Sequence, residues 1–421
     1  MSLNDSRFIT DTGEAVKQCE VVTDPDTGFT VSGFLTERTI LKITKLHSIY
    51  EMDLCDLIWL DEATLIEITR SCGNTLKVLL LDRCNVSDEV LKQIAFSAPH
   101  IRKLSISGCD RTSISGISVV LSVCTSLTNL NLAGNSNLLN YACKSDDDFL
   151  LDIYEKTVPS ILRTDLPIHL TDRNQRDTFC SRKLFAELIE KLPGLTSLSL
   201  ANIENVDDQL LSKFSSNMSL KVLDLSGTCI GDLGLSNILK LVPTLVNLSI
   251  AFCFNIESLE PLCTLLHLEH LRAIGLYKLE SNEIIELISK IGHNLKSLDL
   301  SGCSNLSSAC IRSISDRCFR LVSLNMTGCI HLESESFENM WMCSKLKTLC
   351  VNSCYQLDLE YIRRKLDQVE VVRIRSQSSG TIVSSGIVPN WKPLPLNQQL
   401  KSIATNAAKN GSSKKKKDTK K

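Results

Sequence analysis

The sequence has no run of 18 apolar residues, so nothing in it reads as a membrane-spanning helix. Its opening, MSLNDSRFITDTGEAV, lacks the basic start and apolar core of a secretory leader, which points to an intracellular protein. Glycine-rich phosphate loops after a strand, HExxH and GxSxG are all absent, and the seven histidines stand at no recurring spacing from serine or cysteine. The expectation is a protein that is not an enzyme and needs no cofactor or metal. Cysteine is plentiful, 18 residues, but no CxxC pair occurs and no histidine stands at zinc-finger spacing, which argues against a zinc site. Spread over 421 residues, these are expected to be reduced thiols that pack.

What is present is apolar material for a large core, 43% of the residues, and an uneven charge distribution. Residues 380–421 carry nine lysines against Asp418 alone, a net of +8; since the whole chain sums to −2, residues 1–379 carry −10. The division near Gln377 separates an acidic folded body from a basic tail, 377–421, too polar to bury a core. The body's negative charge, with no aromatics interleaved among the tail lysines, makes nucleic acid an improbable partner.

Within the body one template recurs. LKVLLLDRC from Leu76 and IRKLSISGC from Ile101 share apolar residues at positions 1, 4 and 6 and cysteine at position 9. Clear copies begin at residues 127, 195, 220, 245, 268, 295, 321 and 346, and weaker ones at Ile49 and Val369, giving about twelve units. All steps but one lie between 23 and 27 residues; the exception, 68, is one unit plus an insert at about 137–179. Each LxxLxL reads as a short strand, and stretches such as DEVLKQI and NEIIELI have helical apolar spacing. A single unit cannot bury its own apolar face, so neighbours must stack. The predicted fold is an α/β solenoid shaped as a horseshoe, with a parallel sheet on the concave face and helices on the convex face, over residues 49–376. Residues 1–48 form an N-terminal lead or cap.

At position 9 the side chain turns inward beneath the strand, where backbone groups of the turn need a partner. Cys84, Cys109, Cys253, Cys303, Cys329 and Cys354 stand there and are assigned to this structural turn, with Asn135 and Thr228 each taking the place once. Cys72, Cys124, Cys318 and Cys343, just before position 1, are read as small apolar residues at the ends of the helices.

Strings such as LKSLDLSGCSNLSSACIRSISDRCFRL resemble the cysteine-containing leucine-rich repeat family, over about residues 45–376. That resemblance implies a protein-binding solenoid. Its best-known members are F-box proteins, which hold a substrate on the horseshoe and a cullin-RING ligase adaptor on an N-terminal F-box. In residues 34–60 the usual Leu-Pro opening is missing, Leu35 being followed by Thr36, so the chain reads as a member without an F-box.

The expected function is a non-catalytic scaffold or adaptor, a monomer within a larger assembly, in the cytoplasm and alternatively in the nucleus or cilium. A substrate receptor of a cullin-RING ubiquitin ligase with a degenerate F-box is the alternative; a GTPase regulator or a structural component of cilia is a weaker one. Outward strand positions 3, 5, 7 and 8 supply the binding candidates Asn129, Asn131, Asp224, Asn247, Phe252, His270, Arg272, Asp299, Asn325, Arg373 and Arg375. Phe252 beside His270 and Arg272 is the favoured hot spot. Phe149 and Tyr154 of the insert and Trp391 of the tail are further protein-binding candidates, and the lysine block reads as a nuclear import signal, a contact for acidic surfaces or a solubilising run.

Overall fold

The computed structural model describes residues 8–9, 15–24, 29–35, 37–46, 48–139, 173–216 and 218–372. Most of the insert, with Phe149 and Tyr154, lies outside the described residues, as do Arg373, Arg375 and the tail with Trp391. The chain divides into two compact units, residues 1–223 with 240–242, and residues 224–239 with 243–421.

The first unit opens with β1 (Phe8–Ile9), β2 (Ala15–Asp24) and β3 (Phe29–Leu35), in which β2 runs antiparallel to both others; α1 (Glu37–Leu46) follows. β2 also lies antiparallel against β4 (Glu51–Asp53), with Val21 opposite Met52. It thereby occupies an edge whose N–H and C=O groups would otherwise stand open. From β4 the ladder is parallel: β5 (Val78–Leu80), β6 (Lys103–Ser105), β7 (Asn129–Asn131) and β8 (Ser197–Ser199) stack with Met52, Leu79, Leu104, Leu130 and Leu198 in one row. The helices between them are α2 (Glu62–Cys72), α3 (Asp88–Ser97), α4 (Ile114–Val123), α5 (Arg173–Glu190) and the single turn α6 (Asp208–Leu211). Asp61, Ser87, Ser113 and Asp207 start four of these by accepting a free backbone N–H of the first turn. β9 (Val222–Asp224) lies at the division between the units.

In the second unit α7 (Asp232–Leu241) precedes β10 (Asn247–Ser249), β11 (His270–Arg272), β12 (Ser297–Asp299), β13 (Ser323–Asn325), β14 (Thr348–Cys350) and β15 (Glu370–Val372), all parallel to their neighbours. α8 (Ser281–Ile291), α9 (Ser308–Arg317) and α10 (Leu359–Lys365) follow β11, β12 and β14. After β10 and β13 the helix is replaced by 3-10 turns, Glu260–Thr264, and Ser334–Phe337 with Met340–Met342. Pro261 supplies the preset φ at the first of these, in a step of 23 residues.

Positions 1, 4 and 6 point inward in the units that start at Ile49 to Leu346: Leu295, Leu298 and Leu300, or Leu321, Leu324 and Met326, are at most 1% exposed. The last unit departs from the register read in the sequence. Thr348 and Leu349 pair with Glu370 and Val371, so the template starts one residue earlier than Val369 and buries Val371 at position 4. Since strand side chains alternate, a one-residue slip exchanges the two faces.

Candidate protein-binding surface

The turn after each strand repeats with little variation. Its position-8 residue has positive φ in every described turn: Asp56, Arg83, Gly108, Gly134 and Asn202 in the first unit, Gly227, Phe252, Gly275, Gly302, Gly328 and Ser353 in the second. Glycine adopts this left-handed conformation without strain, and a phenylalanine there is an outlier. In most repeats the position-8 N–H donates to the position-7 carbonyl of the next repeat, as in Phe252 to Ile274 and Gly275 to Ser301, both at 2.7 Å.

Position 9 closes the turn from below. The Sγ atoms of Cys84, Cys109, Cys253, Cys303, Cys329 and Cys354 donate to the position-6 carbonyls of Leu54, Leu81, Leu225, Ala273, Leu300 and Met326, at 2.9 to 3.4 Å. Each thiol thus reaches back to the preceding repeat. Asn135 does the same through Nδ2 to the Ile106 carbonyl at 3.1 Å, while its Oδ1 accepts the Cys109 N–H. Burial pushes the Cys253 and Cys303 thiols up to about 12, which keeps them protonated donors.

The opposite face of the strands in each unit carries polar side chains, half-buried at Asn129, Asn131, Asn247, His270 and Arg272 and buried at Ser105, Ser249, Ser297 and Asp299. In the first unit Asn131 donates from Nδ2 to Ser105 Oγ at 2.9 Å, and its Oδ1 accepts the Ala133 N–H at 3.1 Å. Asn129, half-buried, accepts from Thr128 Oγ1. In the second unit the register sets Asn247, His270 and Ser297 side by side in one row, and Ser249, Arg272, Asp299, Asn325 and Cys350 in another. Asp224 Oδ1 accepts the Ser226 N–H at 3.0 Å and its hydroxyl at 2.5 Å; Asp299 holds Ser301 likewise, at 3.1 and 2.6 Å; Asn325 accepts the Thr327 N–H at 3.0 Å. Position 5 therefore shapes the turn two residues on, a local hydrogen-bond pattern typical of Asp and Asn. Burial holds the Asp224 carboxyl above the ordinary carboxylate range.

Phe252, His270 and Arg272 are each half-buried; His270 lies level with Asn247 and Arg272 with Ser249, so both stand before Phe252 along the strand direction. Burial lowers the His270 pKa, so its ring is neutral at pH 7, and its buried Nδ1 has no hydrogen-bond partner among the described residues. Glu269 alongside is held by Lys296 Nζ at 2.6 Å, a bond that draws the Glu269 carboxyl below its usual range. No described ion pair includes Arg272. Template reading stopped at position 9 and missed the aromatic residues just beyond it. The Phe252 ring meets Phe254 edge-on at 6.3 Å between centroids, and Phe254 meets Tyr277 at 5.8 Å. The pattern FCF at 252–254 and GLY at 275–277, aromatic at position 10 of successive units, was the available signal.

Among the described residues no cluster of metal-ligating side chains is present, and no helix is long and apolar enough to cross a membrane. The leucine-rich repeat family profile matches residues 216–239. The chain is 26% identical over 356 residues to F-box/LRR-repeat protein 17 of Arabidopsis thaliana, covering 72% of this chain and 59% of that protein. It is 26% identical over 242 residues to a Caenorhabditis elegans protein that bears the name putative RNA-binding protein EEED8.10, covering 53% of this chain and 32% of that one. The chain thus spans between a third and three fifths of these relatives' lengths. A chain in the crystal structure of the Rad7 and Elc1 complex in yeast is 15% identical, with a TM-score of 0.45 over 79% of this chain and 86% of that one.

Proposed function

As the chain belongs to the leucine-rich-repeat proteins, with repeats of F-box/LRR-like character, we propose that it is a non-catalytic scaffold that holds a protein partner on the polar faces of its sheets. The observation that carries this reading is the run of ring contacts from Phe252 through Phe254 to the exposed Tyr277. Large aromatics gathered at a protein surface are typical of binding hot spots. The insert and the lysine tail are further contacts in the same proposal.

A substrate receptor of a cullin-RING ligase is the second reading, favoured by the F-box in the name of the Arabidopsis relative. The described part of residues 8–46 weighs toward the scaffold, since it consists of three strands and one helix, whereas an adaptor-binding F-box is helical.

Affinity purification of the tagged full chain at natural expression level, with mass spectrometry, tests both. The scaffold reading predicts one protein assembly in stoichiometric amount without a cullin. A cullin and its adaptor in equal amount would establish the receptor.

A further inference from the structure

The turn edge of the second unit differs in chemistry from that of the first. At position 10 the second unit carries Cys229, Phe254, Tyr277, Ser304, Ile330 and Tyr355, of which Tyr277, Ile330 and Tyr355 are exposed. At the same position the first unit has Asn85, Asp110, Ser136 and Glu204 after a single apolar residue, Ile58. Beside the aromatic row, Gly275, Gly302 and Gly328 form a floor without side chains. A Cβ on Gly302 would stand 3.3 Å from the Gly275 Cα, and one on Gly275 would meet the Phe252 ring at 2.8 Å. The edge is therefore a row of closely packed glycine backbone, with the Phe252 ring over Gly275 and the exposed Tyr277 and Ile330 in the same turns.

Phe252 itself holds a left-handed backbone, φ +60°, at a position that six other turns fill with glycine. Such strain persists only when the surroundings impose it, and in folded proteins it gathers at sites of recognition. In the neighbouring strand Arg272 makes no ion pair among the described residues, although its charge acts on the Asp224 carboxyl, which also holds the Ser226 hydroxyl; Asp299 on its other side holds Ser301.

Spacing selects the ligand. Ile250 donates its N–H to the Arg272 carbonyl and Phe252 donates its own to that of Ile274, so the Phe252 backbone lies level with a point two residues past Arg272. An extended chain repeats its side chains on one face every two residues, about 6.6 Å apart. We propose that this edge receives an extended peptide of a partner protein, a bulky apolar side chain seated on Phe252, Phe254 and Tyr277 and a carboxylate two residues away on Arg272. The chain's own tail does not fit, because its one acidic side chain after residue 372 is Asp418, two residues from Lys416. A polyanion such as RNA is disfavoured by the net −10 of residues 1–379.

The inference rests on the scaffold reading and is tested separately from it. A phage-displayed random dodecapeptide library is panned against the full chain. Enriched peptides, fluorescently labelled, are titrated by anisotropy into the wild type, Phe252→Gly and Arg272→Gln, with labelled dodecauridylate as the nucleic-acid probe. Both variants are expected to fold, the first because glycine already fills that turn in neighbouring repeats, and their unfolding midpoints are compared with the wild type. The expected result is enrichment of sequences with an apolar residue two positions from Asp or Glu. Phe252→Gly then weakens them at least tenfold, and Arg272→Gln removes the preference for Glu over Gln. Peptides without that spacing, affinities unchanged in both variants, no enrichment over bare support, or dodecauridylate binding lost in the same variants would each overturn it. The scaffold reading falls on different ground, if no protein partner is recovered from cells.

Discussion

The Sγ of Cys303 donates to the main-chain carbonyl of Ala273, thirty residues earlier, at 3.1 Å. One buried thiol thus satisfies an acceptor of the repeat before its own, and five other cysteines repeat the arrangement. Cysteine serves here as a polar link that fits beneath a strand, with no redox or metal chemistry required of it.

Cys303→Ala is expected to lower stability by about 1 to 3 kcal/mol, the cost of leaving that carbonyl buried and unsatisfied. Cys303→Asn loses less, because an amide at Asn135 already makes the equivalent bond. Urea unfolding of the three proteins ranks them; equal midpoints for the wild type and the alanine variant would remove the thiol from the account.

The same thiols give a pH signature. Their folded pKa values stand near 12 against an ordinary 9.0, so the protonated form is favoured by folding. The stabilisation is complete below pH 9 and is lost as pH rises from 9 towards 12. Unfolding midpoints should fall across that window, and Cys253 and Cys303 should resist alkylation at pH 8 until the chain unfolds. Labelling of both in the native protein within minutes would contradict this.

Leu298 and Leu324 face each other across β12 and β13 at position 4, each at most 1% exposed. Either one changed to alanine leaves a cavity in a continuous core and should cost about 2 to 5 kcal/mol. An unfolding midpoint within error of the wild type in both variants would refute the assigned register.

Gly275 and Phe252 are coupled. Gly275→Ala is expected to destabilise, since it places a methyl at positive φ and against the Phe252 ring. In the Phe252→Gly background the clash is gone and only the backbone strain of about 1 kcal/mol remains. A double-mutant cycle measures the difference; strict additivity would mean the ring does not lie over Gly275.

Repeat length and the LxxLxL spacing made the ladder legible from Leu76 to Leu346, because a strand of period two inside a unit of about 25 residues admits one stacking register. Val369 misled by one residue: VEVV offers an apolar residue at either register, and the pairing with Leu349 chose Val371. Asp299 and Asn325 were read as binding groups because position 5 points away from the leucine core, yet Asp299 is buried. Their turn-forming bonds depend on backbone two residues on, which a template of side-chain types does not encode. The rings of Phe254 and Tyr277 stack across neighbouring repeats, 23 residues apart, so no local pattern joined them.

The most direct test of the scaffold account compares the full chain with a Phe252→Gly, Arg272→Gln double variant in affinity purification from the same cells. The account predicts a stoichiometric protein partner with the wild type that is lost with the variant, at equal expression and equal unfolding midpoint. A partner recovered equally from both would place recognition elsewhere in the chain, and recovery of none from either would contradict the scaffold itself.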